Sequence, residues 1–266
     1  MKQPIIDAHI HLDMYSEESR KKMLKELELF HVDSLLSVSN HAESARKNLQ
    51  LAQKDKRIKS AIGFHPEQEL PDNNQLEKIF TLIKKHKEEI VAIGEVGLPY
   101  YSRKKDATLS LTPYIEMLEQ FIRLAVKLDK PIILHAIYED ADIACDLLEK
   151  YAVRKAHFHW FKGSAATIQR LIENRCYISV TPDCLYELEI QQLIEQYPLE
   201  LMMVETDGPW PFEGKFKDER THPKMIHESI RKIAEIKSLP LNEMYKQLYQ
   251  NTVDFYGIDS SFTLKN

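Results

Sequence analysis

The chain has 266 residues, of which 43% are hydrophobic and 29% are charged. This composition is ordinary for a soluble globular enzyme, and the length suits a single domain over 1–266. The formal net charge of −5 excludes a broad positive field that attracts nucleic acid, although bound metal ions would add positive charge locally.

Neither export nor membrane insertion is expected. The N-terminus lacks the apolar run of a signal peptide, and no apolar stretch approaches the roughly 20 residues that a membrane helix needs. Cys145, Cys176 and Cys184 are too few and too scattered for a disulfide framework, so we expect free thiols. These features predict a cytoplasmic protein with no membrane association and no obligate protein partner.

Short apolar runs alternate with longer amphipathic ones along the chain. The predicted strands are Ile5–Leu12, Ser34–Ser39, Ile58–His65, Val91–Leu98, Pro131–Ile137, Lys155–Phe161, Tyr177–Thr181 and Leu201–Thr206. The predicted helices between them are Ser16–Phe30, Ala42–Lys54, Asn74–Lys87, Thr112–Leu128, Asp140–Tyr151, Ala165–Asn174 and Cys184–Gln196, and His222–Lys237 and Pro240–Tyr256 follow.

Strands that are apolar throughout and separated by helices indicate a parallel sheet covered on both faces. Eight such units predict an α/β fold of the (β/α)8 type, a TIM barrel. A doubly wound open sheet is the alternative. Its dinucleotide-binding form is not expected, because no glycine-rich turn follows the first strand.

The ends of six predicted strands carry histidine or acidic residues. They are His9, His11, His65, Glu95, His135, His159 and Asp207. In a barrel the carboxyl ends of the strands converge on one face, where active sites lie. Imidazole nitrogens combined with carboxylate oxygens suit transition metals such as Zn, Mn, Fe or Co. The pattern therefore predicts a metal centre held by His9, His11, Glu95, His135, His159 and Asp207.

The first of these residues share one face, because side chains two positions apart in a strand point the same way. His9 and His11 can thus hold one ion. Glu95 follows an apolar run, and a buried lone carboxylate costs several kcal/mol, so it needs a positive partner. A metal is the natural partner, with a salt bridge to Arg103 as the alternative. The two oxygens of Glu95 could bridge two ions.

Asp207 is predicted to bind metal and to take a proton from the attacking water, whose pKa a metal lowers to about 7. Glu205 lies two residues deeper and is expected to orient the histidine ligands by hydrogen bonding. His157 is expected in a supporting or packing role beside His159. His65 is expected to bind or polarise the substrate and not to bind a metal.

Taken together, the motifs resemble one family, the TatD-related metal-dependent hydrolases of the amidohydrolase superfamily. The resemblance is colinear from residue 5 to about residue 258 and rests on Asp7-x-His9-x-His11, Gly63-x-His65-Pro66, Gly94-Glu95-x-Gly97-Leu98, His135, His159-x-Phe161-x-Gly163-Ser164 and Glu205-Thr206-Asp207-x-Pro209.

The resemblance implies a centre of two ions. Glu95 would contribute to both, with His9, His11 and Asp207 at one ion and with His135 and His159 at the other. His65 would contact a substrate phosphate. Members of the family act mainly as Mg- or Mn-assisted deoxyribonucleases, several with 3′–5′ exonuclease activity.

Two loops bear on substrate preference. Pro99 stands where many members of the family have aspartate, and Trp210 lies in an aromatic loop that could stack a base for about 1–3 kcal/mol. The cations that could meet a phosphate backbone are Arg103, Lys104, Lys105, Lys162 and Arg220.

We therefore predict a hydrolase with two divalent ions (Mg, Mn or Zn) that cleaves DNA or another phosphodiester substrate. The first alternative is a hydrolase of a carbonyl substrate, such as an amide, ester, lactone or aminoacyl-tRNA, because fold and ligands do not fix substrate. The second is a non-catalytic metal- or phosphate-binding module.

Overall fold

Eight strands follow one another around a single parallel sheet in the computed structural model, which describes residues 3–259. The strands are β1 (Ile5–Ile10), β2 (Val32–Val38), β3 (Ile58–Ile62), β4 (Ile90–Gly97), β5 (Ile132–His135), β6 (Ala156–Phe158), β7 (Tyr177–Val180) and β8 (Met202–Val204). An isolated parallel bridge joins Ile10 of β1 to Gly208 in the loop after β8, so the barrel is nearly closed. The predicted (β/α)8 barrel is confirmed, and the open sheet is wrong.

Helices follow the strands on the outside of the barrel. They are α1 (Glu17–Glu26), α2 (Ala42–Lys54), α3 (Asn73–Lys85), α4 (Tyr100–Lys105), α5 (Thr112–Leu128), α6 (Glu139–Lys150), α7 (Ala165–Glu173), α8 (Leu188–Gln196), α9 (Ile226–Lys237) and α10 (Leu241–Tyr256). Local sequence sets several starts: Asp72 and Gln75 form a capping box at α3, and α5 carries proline in its first turn. Between residues 3 and 259, no helix is long and apolar enough to cross a membrane.

Several predicted boundaries are wrong, and three of them bear on the site. The sixth and eighth strands end at Phe158 and Val204, earlier than predicted, and the predicted helix Cys184–Gln196 divides into a 3₁₀ turn and α8. The strands end early because the backbone turns into the left-handed region just beyond them, at Trp160 (φ 40°) and Asp207 (φ 46°). As a result, His159 and Asp207 stand in the loops at the barrel mouth.

Two large clusters make up most of the apolar core among the described residues. The larger lies between the strands and the surrounding helices, and it includes Phe121 and Phe158. The smaller brings strand residues such as Ile6 and Met203 together with aromatic residues of α10, including Tyr249 and Phe255. Burial of both faces explains why the strands are apolar throughout. It leaves the carboxyl ends of the strands as the place where polar side chains collect.

All three cysteines are buried and unpaired, as the sequence predicts. Burial raises the pKa of the Cys145 and Cys184 thiols to about 12 and that of Cys176 further. Thiols in this state are poor nucleophiles, because the thiolate is the reactive form. The cysteines therefore belong to the packing of the barrel.

Candidate metal centre

The barrel mouth brings together every histidine and acid that the sequence singles out as a metal ligand. Glu95 lies near the end of β4 and is fully buried. The pairing register of β4 with β5 shifts across Glu95, between Ile93 and Val96, and that of β1 with β2 shifts across His9. Such irregularities re-aim side chains beside active sites. They let ligand atoms from separate strands converge on one carboxylate.

One oxygen of Glu95 faces the residues of the first and last strand ends. Glu95 Oε2 lies 3.2 Å from His9 Nε2 and 3.3 Å from His11 Nε2. Asp207 Oδ1 completes this group at 3.5 Å from His9 Nε2 and 3.3 Å from His11 Nε2. We refer to His9, His11 and Asp207 as the seam group, because they flank the junction of β1 and β8.

The other oxygen of Glu95 faces residues from the middle of the barrel. Glu95 Oε1 lies 2.7 Å from His159 Nε2, 2.9 Å from His135 Nδ1 and 3.3 Å from His65 Nε2. We call His65, His135 and His159 the central group. The sequence predicts a substrate contact for His65, and the structure puts this imidazole beside the same carboxylate as the other two.

Electrostatics favour a cation between these groups. In the part of the chain from 3 to 259, every ionic partner of Glu95 is a histidine, and Arg103 is not among them. Burial raises the pKa of Glu95, but the neighbouring imidazoles, above all His65 and His159, hold it well below its usual range. The carboxylate is therefore ionised, and its positive partner is either protonated imidazole or a cation held by the same rings.

Two details fit a divalent cation better than protons on the imidazoles. Asp207 Oδ1 is buried and has no hydrogen-bond partner among the described residues. His135 Nδ1 and His159 Nε2 lie 3.2 Å apart, and both face Glu95. Protonating both rings would bring like charges together, whereas a cation uses the lone pairs of all these atoms. Three overlapping sets of ligand atoms lie within reach of an ion here, and one of them, His9, His159 and Asp207, spans both groups.

Backbone hydrogen bonds support the seam group. Asp207 N donates to His9 O at 2.9 Å, and His11 N donates to Gly208 O at 2.7 Å. The carboxylate of Asp7 accepts from Thr206 N at 3.0 Å and from Thr206 Oγ1 at 2.5 Å. Burial raises the pKa of Asp7 to about 8 despite these bonds. Main-chain contacts thus fix the seam group in register with the barrel.

A chain of buried side chains supports the central group. Glu205 Oε1 lies 3.7 Å from His159 Nδ1 and accepts from Trp160 N at 2.9 Å. Ser179 Oγ donates to Glu205, and His157 lies 2.6 Å from both Ser179 Oγ and the Tyr256 hydroxyl. Burial lowers the pKa of His157 well below its usual value, so the ring is neutral. The chain connects His159 to α10.

Sequence reasoning missed Glu67, which lies in the loop after β3. Its carboxylate accepts from Tyr101 N, Ser102 N and Ser102 Oγ, each at 2.7 Å, and lies 3.4 Å from His135 Nε2. Burial raises its pKa, but the neighbouring His135 and Ser102 outweigh burial and lower it to about 2. The sequence gives only an indirect sign of this contact, since the N-cap of α4 is Pro99, which offers no capping side chain.

The predicted substrate contacts lie around the mouth in different settings. Trp210 is 60% exposed, with its ring centroid 6.2 Å from that of Trp160. Arg103 donates to the buried carboxylate of Asp140, which ties α4 to α6. Sequence reasoning missed Tyr101, which is 47% exposed and has its ring centroid 6.3 Å from that of His135.

The remaining predicted cations occupy the rim. Lys162 lies 5.7 Å from the Trp160 ring centroid and 3.9 Å from Asp183, and Lys104 lies 5.1 Å from the Tyr100 ring centroid. Lys105 is exposed at the end of α4, and Arg220 donates to Ser19. Two of these lysines, Lys162 and Lys104, thus lie over aromatic rings.

Comparisons with known proteins agree with this geometry. The family model described as TatD related DNase matches residues 6–257. An uncharacterized metal-dependent hydrolase of Haemophilus influenzae is 40% identical over 96% of this chain and 100% of its own. The human deoxyribonuclease TATDN3 is 25% identical over 95% of this chain and 94% of its own. The crystal structure of YJJV, a TatD homolog from Escherichia coli, superposes with a TM-score of 0.83 at 23% identity, covering 96% of this chain and 98% of that one.

Proposed function

This chain belongs to the TatD-related DNase family, and we propose that it is a deoxyribonuclease that uses two divalent ions to remove nucleotides from the 3′ end of DNA. The observation that carries the proposal is the split environment of Glu95. Its two oxygens face different ligand atoms, those of the seam group and those of the central group. A bridging carboxylate of this kind suits a pair of ions.

The residues that would hold the ions follow from these contacts. His9, His11 and Asp207 would hold one with Glu95 Oε2, and His135 and His159 would hold the other with Glu95 Oε1. When bound, divalent ions activate water and offset the charge that develops on a phosphate; we propose Mg, Mn or Zn in this role.

The protein's own groups would handle the proton and the substrate. The Asp207 carboxylate, whose Oδ1 accepts no hydrogen bond from the described residues, would also take the proton of the attacking water. His65 is 21% exposed, so its Nε2 would bind a non-bridging phosphate oxygen. Glu205 and His157 would keep the His159 ring in place.

The rim supports a polymeric substrate. The exposed ring of Trp210 would stack a base, and Lys162 beside Trp160 would meet the phosphate backbone. Arg103 would contribute to the rim only indirectly, by holding α4 in place, because its guanidinium already donates to Asp140. We also propose a cytoplasmic location, since three buried unpaired cysteines suit a reducing compartment.

The test is digestion of a 5′-labelled single-stranded oligonucleotide by purified protein with Mg, Mn or Zn and with a chelator. We expect a ladder that shortens from the 3′ end only when metal is present. The Glu95→Ala variant should lose this ladder, whereas Glu116→Ala, a matched change at an exposed glutamate on α5, should keep it.

Internal cuts without a ladder would overturn the exonuclease assignment. Absence of cleavage with every metal, in protein shown to hold two ions, would overturn the nuclease assignment. It would favour a hydrolase that acts on a carbonyl substrate, the first alternative that the sequence leaves open.

A further inference from the structure

Glu67 connects two parts of the barrel mouth that come from different strands. It stands in the loop after β3, whereas α4 follows β4 and His135 ends β5. We propose that Glu67 is a positioning residue, which fixes the His135 ring through Nε2 and holds α4 against the centre with the same carboxylate. The proposal rests on the proposed function in that His135 is taken as a metal ligand.

The start of α4 explains why Glu67 is held so firmly. The first amides of a helix have no partner within it, and a side-chain oxygen at the N-cap usually satisfies them. Here the N-cap is Pro99, which has no such oxygen. Glu67 supplies both acceptors from another loop, at 2.7 Å from Tyr101 N and 2.7 Å from Ser102 N. Both carboxylate oxygens are thereby fixed in direction.

The two nitrogens of the His135 ring face different carboxylates, Nδ1 towards Glu95 and Nε2 towards Glu67. Nδ1 faces Glu95 Oε1 at 2.9 Å, so a metal ligand role needs the lone pair on Nδ1 and the hydrogen on Nε2. Nε2 is buried and makes no hydrogen bond to any residue from 3 to 259, and Glu67 Oε1 lies 3.4 Å away. A small closing movement would let Nε2–H donate to Glu67.

A carboxylate behind a histidine ligand fixes the tautomer and raises the basicity of the coordinating nitrogen. Glu205 stands in the same relation to His159, with Oε1 at 3.7 Å from Nδ1. Each predicted histidine ligand of the central group thus has a carboxylate on its far side. Of Glu67 and Glu205, Glu67 alone also caps a helix. It therefore connects the metal centre to α4, which carries the exposed ring of Tyr101.

Metal binding by metal-free protein tests the proposal without any nuclease assay. Mn²⁺ would be titrated against a competing fluorescent chelator. We expect Glu67→Ala to weaken the affinity for the second Mn²⁺, the one held by His135 and His159, by about 10- to 100-fold. The affinity for the first Mn²⁺, held by the seam group, should stay unchanged. Ser102→Ala is the matched control: it removes one bond to Glu67 but keeps both amides and His135, so its affinities should stay near those of the unaltered protein.

Pro99→Asp separates the two roles of Glu67. An aspartate at the N-cap can accept from the amides of Tyr101 and Ser102 but does not place a carboxylate behind His135 by that contact. Combined with Glu67→Ala, it should restore hydrogen-exchange protection of the α4 amides and leave Mn²⁺ affinity low. Should Glu67→Ala fail to fold, Glu67→Gln keeps the side-chain volume and should still lose affinity several-fold.

Three results would overturn the proposal. They are unchanged Mn²⁺ affinity in Glu67→Ala, recovery of that affinity on adding Pro99→Asp, and failure of the unaltered protein to bind Mn²⁺. Protein that binds two ions but does not cleave DNA would contradict the proposed function alone. Loss of the second ion in Glu67→Ala would then still support the positioning role.

Discussion

The seam group and the central group share one carboxylate but are supported in different ways. Backbone hydrogen bonds between the first and last strand ends hold His9 and Asp207. The central group depends on side chains from loops, namely Glu67 behind His135 and Glu205 behind His159. Backbone contacts of the barrel therefore support one half of the centre, and we expect substitutions in loops to affect the other half more.

The largest effect should come from a change in the seam group that leaves its size intact. Asp207→Asn removes the proposed proton acceptor, and a missing general base lowers turnover by about 10²- to 10⁴-fold. The fold should persist, because Asp207 N and His9 O keep their bond. Turnover on labelled DNA and the melting temperature check this. Full activity in the variant would mean that another group takes the proton.

Two matched substitutions test the seam group and the central group separately. His9→Ala and His135→Ala should each lower bound metal from two ions to one, since each removes a ligand from a different oxygen of Glu95. We expect the remaining ion to stay within tenfold of its original affinity. Elemental analysis after dialysis, with Mn²⁺ titration, gives both numbers. Loss of both ions in either variant would show that the halves do not bind independently.

The smallest effect should come from the buried side chains behind the central group, namely Glu205, Ser179 and His157. Ser179→Ala leaves Glu205 and His157 short of a partner, which costs about 1–3 kcal/mol of unfolding free energy. Ser60→Ala is the control, because the Ser60 hydroxyl is equally buried but has no hydrogen-bond partner in the described chain. Urea unfolding compares them. Equal stability of the two variants would contradict a supporting role for the chain.

The barrel and the meeting of the predicted ligands could be foreseen because both depend on periodic patterns. Alternating apolar runs define strands, and parallel strands bring their carboxyl ends together, so His9 and Glu95 are neighbours despite their separation in sequence. The roles assigned to these residues remain predictions. The periodic pattern predicts where each residue lies in the fold. The six strand ends that carry histidine or acidic residues were enough to locate the barrel mouth.

The loops could not be foreseen in the same way. The helix α4 has six residues, too few to show a helical repeat, and its start depends on Glu67 more than thirty positions earlier. The sequence predicts a phosphate contact for Arg103, but it does not reveal that Asp140, which follows β5, is the partner of this side chain. Contacts of this kind are set by tertiary structure, which local sequence does not encode.

The bridge between Ile10 and Gly208 has a consequence for how the protein holds together. An ion bound by His9, His11 and Asp207 would link β1 to the loop after β8, and it would stabilise the folded state because only that state brings these side chains together. An ion present at 100 times its dissociation constant adds about 2.7 kcal/mol to stability. Loss of the metal would then let β1 and β8 separate more easily.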